Sequence, residues 1–209
     1  LKFGYKSLKK NYLAKKAYKN NDDIVYHTIL IAPSWGKDAL IESGKVLGLI
    51  STLLGLDIKT ILRPHPETLK KFPNKIQNIE ATFGRNRRFS LDREVSSFAS
   101  MEESQVLITD WSGTSMEYAF GFRKPVIFCD IEKKINNPSY MEIRNPPVEI
   151  SLRSKIGIIW DMHSDFTIIL DKLITFDSSK VDTAFKSVIF SDHQVSNVLS
   201  TFLRPYQFH

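Results

Sequence analysis

The chain has 209 residues, of which 42% are hydrophobic and 25% charged, and it carries a net charge of +6 and one cysteine. This composition is typical of a globular domain with a sizeable core and excludes a disordered, collagen-like or disulfide-rich protein. Because Cys129 has no second cysteine to pair with, we expect a reduced, cytoplasmic location.

The N-terminal residues carry the excess charge. Residues 1–21 contain seven lysines and no acidic residue, so the rest of the chain is nearly neutral. We predict a basic leader helix over residues 1–23 and one Rossmann-like domain over residues 24–209. The leader is either a solvated helix face or a peripheral anchor to anionic lipid on the cytoplasmic membrane face. No nucleic-acid partner is expected, because such a domain carries its basic charge on the folded surface.

Short apolar runs alternate with helical patterns through the rest of the chain. No run of 18 apolar residues occurs, so we expect no membrane-spanning helix. The patterns predict strands at residues 27–33, 60–62, 89–91, 105–109 and 125–129. They predict helices at residues 39–56, 67–83 with a break at Pro73, 94–101 and 114–120. Residues 132–161 are predicted to be rich in loops.

This alternation is typical of a parallel sheet covered on both faces, so we predict an α/β fold with a Rossmann-like, doubly wound parallel sheet. Ligands of such sheets bind outside the carboxyl ends of the strands. Three strand-to-helix loops are therefore candidates for a binding site. We call residues 33–36 the first site loop, residues 63–66 the second and residues 110–115 the third.

The second site loop predicts a phosphate site. Arg63 and His65 are two residues apart, so they project to one side of the strand end as a polar pair. Pro66 suits the first position of the next helix, whose N-terminus favours anions. In the alternative reading, His65 only packs at the strand end and Arg63 pairs with a surface carboxylate.

The third site loop contains a predicted capping box, with Thr114 as the N-cap and Glu117 reaching back to it. This interpretation leaves Ser112 and Gly113 unexplained. A turn of small residues that opens a helix lets backbone amides approach a phosphate closely. The sequence is neither a Walker A loop nor a nucleophile elbow.

The first site loop adds a hydroxyl and a flexible glycine after a buried strand, and Lys37 follows it. Alone it is a weak signal, but three anion-friendly loops at one sheet edge fit a diphosphate. The tryptophans of the loops, Trp35 and Trp111, are available for stacking on a ligand or for core packing. Core packing is the simpler expectation for both.

Together these motifs resemble the CDP-glycerol glycerophosphotransferases of teichoic-acid synthesis. The resemblance covers residues 30–130 and rests on the sequences Ala-Pro-Ser-Trp, Arg-Pro-His-Pro, Thr-Asp-Trp-Ser-Gly-Thr-Ser and Lys-Pro-Val-Ile-Phe, which begin at residues 32, 63, 109 and 124. The segment 4–8 is similar to the family's crossing between its two domains. The resemblance implies the C-terminal, donor-binding half of a GT-B fold.

The resemblance also implies the roles of individual residues. His65 would be catalytic by steadying the donor pyrophosphate, and the acceptor-activating base would belong to a missing N-terminal domain that receives a polymer or lipid-linked acceptor. CDP-glycerol would be the donor substrate, with no metal or other cofactor. The implied donor-binding residues are Ser34, Trp35, Gly36, Arg63, His65, Asp110, Ser112, Gly113, Thr114, Ser115 and Glu117.

Two alternatives remain open at this point. One is a GT-B glycosyltransferase that uses a CMP-sugar or UDP-sugar, because the His-Pro and Ser/Thr loops also occur in such enzymes. The other is a non-catalytic nucleotide-binding domain. The turn Trp-Ser-Gly differs from the commoner Tyr-Ser-Ser form of the family, which bears on the identity of the donor.

Overall fold

The computed structural model describes residues 27–94, 98–132 and 148–188. The predicted leader helix over residues 1–23 and the segment 4–8 lie outside these ranges. The domain boundary at residue 24 therefore stays a prediction.

The described residues contain one six-stranded, all-parallel sheet. Its strands are β1 (Thr28–Ile31), β2 (Lys59–Leu62), β3 (Phe89–Leu91), β4 (Val106–Thr109), β5 (Val126–Cys129) and β6 (Gly157–Trp160). The spatial order β3-β2-β1-β4-β5-β6 is that of a Rossmann sheet, with its topological switch point between β1 and β4. The predicted α/β, doubly wound parallel sheet is confirmed.

Helices connect the strands in the predicted alternation. They are α1 (Lys45–Gly55), α2 (Pro66–Lys71), α3 (Pro73–Phe83), α4 (Ala99–Glu103), α5 (Thr114–Phe122), α6 (Val148–Ile156), α7 (Phe166–Ile174) and α8 (Ser179–Val188). The break at Pro73 is confirmed, since α2 ends at Lys71 and α3 begins at the proline. None of the helices described has the length and apolar composition needed to cross a bilayer.

Two apolar clusters cover the two faces of the sheet. Successive residues of β1 alternate between them, so Ile29 and Ile31 join one cluster and Leu30 joins the other. The first cluster includes residues of α1, α3 and α7, and the second includes residues of α5, α6 and α8. All four residues of β1, β4 and β5 are buried, as expected for strands covered on both faces.

Three sequence predictions need correction. The helix expected at residues 39–56 begins only at Lys45, because Gly44 adopts a left-handed conformation (φ 81°) and residues 39–43 form turns. The helix expected at residues 94–101 begins at Ala99 and runs to Glu103. The region 132–161, expected to be loop-rich, contains α6 and β6. The sequence pattern did not predict α6 because a charged residue, Arg153, occupies a buried position of this helix where an apolar residue is expected.

Gly157 is the first residue of the edge strand β6, and a substitution there tests how closely this strand packs against β5. A Cβ atom there would lie 2.2 Å from the carbonyl oxygen of Val126 and 2.9 Å from Cε2 of Phe128. We expect Gly157→Ala to lower the free energy of unfolding by about 1–3 kcal/mol through overpacking. Chemical denaturation measures the change.

Gly55→Ala at the end of α1 is the matched control, because a Cβ there meets nothing within 4 Å. It should leave stability unchanged or raise it by up to about 1 kcal/mol, as alanine is the better helix former. Equal unfolding midpoints for the two variants would contradict this account of the β5–β6 pairing.

Candidate functional site

The three site loops lie together at the carboxyl edge of the sheet. They follow β1, β2 and β4, and β1 pairs with both of the other strands. The first and third loops therefore flank the switch point, where ligands of doubly wound sheets bind. The sequence-based placement of the loops on one edge is thus reproduced by the fold.

Asp110 joins the third site loop to the first. It is 1% exposed, and its Oδ1 accepts hydrogen bonds from the backbone amides of Ser34 (2.6 Å) and Trp111 (2.7 Å). Its Oδ2 accepts a longer hydrogen bond from the amide of Leu40 (3.3 Å). The preceding Thr109 adds a bond from its hydroxyl to the carbonyl oxygen of Ala32 (2.7 Å). The carboxylate therefore shapes the loop after β1 rather than facing solvent.

Glu42 ties the same stretch of chain to α2. Its Oε1 accepts a hydrogen bond of 2.6 Å from the hydroxyl of Thr68, which lies in the first turn of α2. Its Oε2 is buried and has no hydrogen-bond partner in the described part of the chain. Sequence patterns did not point to Glu42, because position 42 lay inside a predicted helix.

His65 forms the N-cap of α2, and Pro66 is the first helical residue, as predicted. The imidazole Nδ1 accepts a hydrogen bond of 3.1 Å from the backbone amide of Glu67. A neutral His65 must therefore carry its proton on Nε2. The ring of Trp35 lies beside it, with 6.1 Å between ring centroids, so the first and second loops meet here.

Lys71 adds a positive charge to this corner of the site. Its Nζ lies 4.2 Å from the centre of the Trp35 ring and 3.0 Å from Oε2 of Glu67. This hydrogen bond and charge lower the pKa of Glu67 below its usual value. Half-buried Trp35 thus packs among polar side chains. Lys71 was not among the residues that the sequence analysis predicted for the site.

Arg63 is held by a different part of the fold from His65. Its Nη2 donates to the carbonyl oxygen of Glu94 (2.8 Å), and its Nε lies 3.9 Å from Oδ2 of Asp92. Its Nη1 lies 3.5 Å from the hydroxyl of Ser100. The alternative reading, in which Arg63 pairs with a carboxylate, describes this arrangement better than a polar pair with His65.

The predicted capping box of α5 is wrong. Gly113 occupies the N-cap with helical dihedral angles (φ −61°, ψ −20°), no side chain caps the helix there, and Thr114 is its first residue. The Ser112 hydroxyl lies 3.4 Å from the amide nitrogen of Thr114 and donates to its Oγ1 (3.1 Å). The Ser115 hydroxyl donates to the carbonyl oxygen of Ser112 (2.9 Å). Glu117 is exposed in the first turn.

Trp111 rests on a buried cation. Its ring centre lies 3.7 Å from the guanidinium carbon of Arg153, which is 4% exposed, and its Nε1 donates to the carbonyl oxygen of Ile131 (3.0 Å). Arg153 Nη2 donates to the carbonyl oxygen of Cys129 (3.0 Å). Burial lowers the pKa of Arg153, and the charges of Asp130 and Asp110 act in the opposite direction. Arg153 therefore supports the third loop from below.

Lys124 belongs to the last of the four motifs on which the family resemblance rests. Its side chain caps the C-terminal end of α4 and does not join the site loops. Its ammonium group donates to the carbonyl oxygens of Met101 (2.9 Å), Glu102 (2.6 Å) and Ser104. These are carbonyls at the end of α4, where a cation is favourable. The lysine of this motif thus has a structural explanation.

Comparison with known proteins gives similarity in fold only. No protein-family model and no curated protein matches the chain. A UDP-GlcNAc 2-epimerase from Methanocaldococcus jannaschii, solved with UDP-GlcNAc and UDP, matches at 14% identity and a TM-score of 0.49, over 85% of this chain and 45% of that one.

Two further solved structures are similar at the same level. A variant of the wall teichoic acid polymerase TagF, soaked with CDPG, matches at 17% identity and a TM-score of 0.46, over 97% of this chain and 46% of that one. The glycotransferase of kitacinnamycin matches at 10% identity and a TM-score of 0.47, over 80% and 40%. The chain spans less than half the length of these proteins.

The hydrogen bonds of Asp110 give a prediction about loop order. Asp110→Asn replaces one acceptor oxygen by an amide that cannot accept from a backbone N–H. We expect the free energy of unfolding to fall by about 1–3 kcal/mol, and the amides of Ser34 and Leu40 to exchange with deuterium faster. Asp171→Asn, at an exposed position on α7, is the matched control. Unchanged exchange at both amides would contradict the role given to Asp110.

Proposed function

We propose that this chain is the donor-binding half of a GT-B transferase that uses CDP-glycerol or a related CDP-alditol. It would transfer glycerol phosphate to a polyol-phosphate or cell-surface glycan acceptor. The observation that carries this proposal is the meeting of the three site loops at one sheet edge, where Asp110 joins the first and third loops and Trp35 lies beside His65 of the second. Three of the four motifs that resemble the glycerophosphotransferases lie on these same loops.

The chemistry of the loops suits a pyrophosphate. A neutral His65 carries its N–H on Nε2 at the start of α2, and Lys71 adds a cation at the last residue of that helix. The third loop opens α5, whose N-terminal end favours an anion. Transfer requires these groups to neutralise charge on the departing CMP while the acceptor hydroxyl is held in line.

Other parts of the proposed enzyme would bind and activate the acceptor. A further domain would bind the polymer or lipid-linked acceptor and supply the base that activates its hydroxyl. The donor is the only small molecule that the proposal requires, with neither a metal nor another cofactor. The proposed location is cytoplasmic, with peripheral contact at the membrane.

The second candidate is a GT-B glycosyltransferase that uses a CMP-sugar or UDP-sugar. It is favoured by the turn Trp111-Ser112-Gly113, which departs from the Tyr-Ser-Ser form of the glycerophosphotransferases. The two candidates share the phosphate-binding chemistry and differ in the nucleoside and in the group transferred. A ligand panel therefore separates them.

Calorimetric titration with CDP-glycerol, CDP, UDP and inorganic phosphate tests the proposal. We expect CDP-glycerol and CDP to bind more tightly than UDP, and inorganic phosphate to bind weakest, because it engages the loops without a nucleoside. Tighter binding of UDP than of CDP would favour the second candidate. Equal and negligible heats for all four ligands would rule out both.

His65 allows its capping role to be separated from ligand binding. Asparagine is a good N-cap but lacks the imidazole donor, so His65→Asn should keep the stability of the chain. His65→Ala should lose about 0.5–2 kcal/mol of stability with the cap. Both variants should lose about 1.5–3 kcal/mol of CDP binding energy, the value of a hydrogen bond to a charged group.

Thermal unfolding and CDP titration of the two variants give the comparison. If His65→Asn binds CDP as the wild type does, His65 is a helix cap and has no role toward the donor. If His65→Asn alone unfolds early, the capping geometry given above is wrong.

A further inference from the structure

A cleft of about 580 Å³ opens beside the site loops. It lies between one face of α1 and the residues that follow β5 and β6, and none of the eleven predicted site residues lines it. Its volume is within the range of small-molecule sites. The cleft is a neighbour of the third loop, because Trp111 donates to the carbonyl oxygen of Ile131, next to the lining residue Asp130.

The floor of the cleft is apolar and its rim is charged. Leu49, Trp160 and Phe166 are buried, and Met162 is half-buried. Lysine, aspartate and histidine side chains surround this floor. Ligand sites commonly combine an apolar lining with a few polar groups that fix orientation.

Two acidic residues of the rim are committed to local structure. Asp161 Oδ1 accepts hydrogen bonds from the amides of Ser164 and His163, which lower the pKa of Asp161 to about 2. Asp165 accepts from the amide of Thr167 as the N-cap of α7. Both carboxylates thus shape the turn that walls the cleft.

Asp130 and Lys45 differ from them. Both are exposed on the cleft, and neither side chain has a hydrogen-bond or ion-pair partner within the ranges that the structure describes. The carboxylate and the ammonium group are therefore both available to a ligand that donates a hydrogen bond to the first and carries an anionic group for the second. The acidic groups here are not arranged for a metal, since the described residues contain no cluster of three or more ligating side chains.

The chemistry of these two groups selects the ligand. A carboxylate accepts charge-assisted hydrogen bonds from hydroxyl groups, and a lysine ammonium pairs with a phosphate as a point charge. The carbon face of a polyol can lie on the apolar floor. A small molecule with several hydroxyls and one phosphate meets all three requirements.

We propose that this cleft binds a polyol phosphate, with Asp130 accepting from its hydroxyls and Lys45 pairing with its phosphate. The choice of ligand rests on the proposed function, in which glycerol phosphate is the group transferred. The site is separate from the loops that would hold the nucleotide. Binding here therefore does not require CDP.

Calorimetric titration of the full chain with sn-glycerol 3-phosphate tests this proposal, with glycerol and inorganic phosphate as partial ligands. We expect glycerol 3-phosphate to bind more tightly than either partial ligand. Asp130→Asn and Lys45→Gln should each weaken its binding about tenfold, the loss expected for one hydrogen bond to a charged group. The controls Asp171→Asn and Lys172→Gln, at exposed positions on α7, should bind as the wild type does.

The outcomes separate this proposal from the proposed function. Glycerol 3-phosphate binding that Asp130→Asn and Lys45→Gln leave unchanged, or no binding at all, overturns the cleft assignment, whatever CDP does. Phosphate binding as tightly as glycerol 3-phosphate overturns the role of Asp130. Binding that depends on both side chains supports the cleft, even if CDP fails to bind and the proposed function falls.

Discussion

The buried carboxylate of Asp110 is the constraint on which the carboxyl edge of the sheet depends. A carboxylate at 1% exposure is costly unless its oxygens receive hydrogen bonds, and here three backbone amides supply them. Two of these amides belong to the chain after β1, so their positions are fixed from β4. Glu42 and Trp35 lie on that same stretch and extend the constraint to α2.

A buried cation of opposite sign complements this carboxylate. Arg153 lies under Trp111; burial lowers the pKa of Arg153, and the charges of Asp130 and then Asp110 act against this effect. Removing either charge would leave the other buried with less compensation, which costs more than losing a surface pair. The third loop is therefore supported on one side by hydrogen bonds to an anion and on the other by stacking on a cation.

Local patterns in the sequence were enough to predict the sheet but not the contacts that organise its edge. Apolar runs and prolines located β1 to β5, the break at Pro73 and the first turn of α2, because these features depend on neighbouring residues. The contacts of Glu42, Lys71 and Arg153 join distant segments, which periodicity does not report. The capping box failed because Gly113 already has helical dihedral angles, which moves the start of α5 by one residue.

The order in which the ribosome synthesises the strands determines when the site can form. Ser34 and Asp110 are 76 residues apart, so β2, one neighbour of β1, is synthesised well before β4, the other neighbour. At about 5–20 residues per second, ribosomal synthesis of this interval takes roughly 4–15 s. During that time the central strand exposes one unpaired edge on the nascent chain. The loop after β1 can reach its final shape only when Asp110 has emerged, so the site cannot be complete before the third site loop has been made.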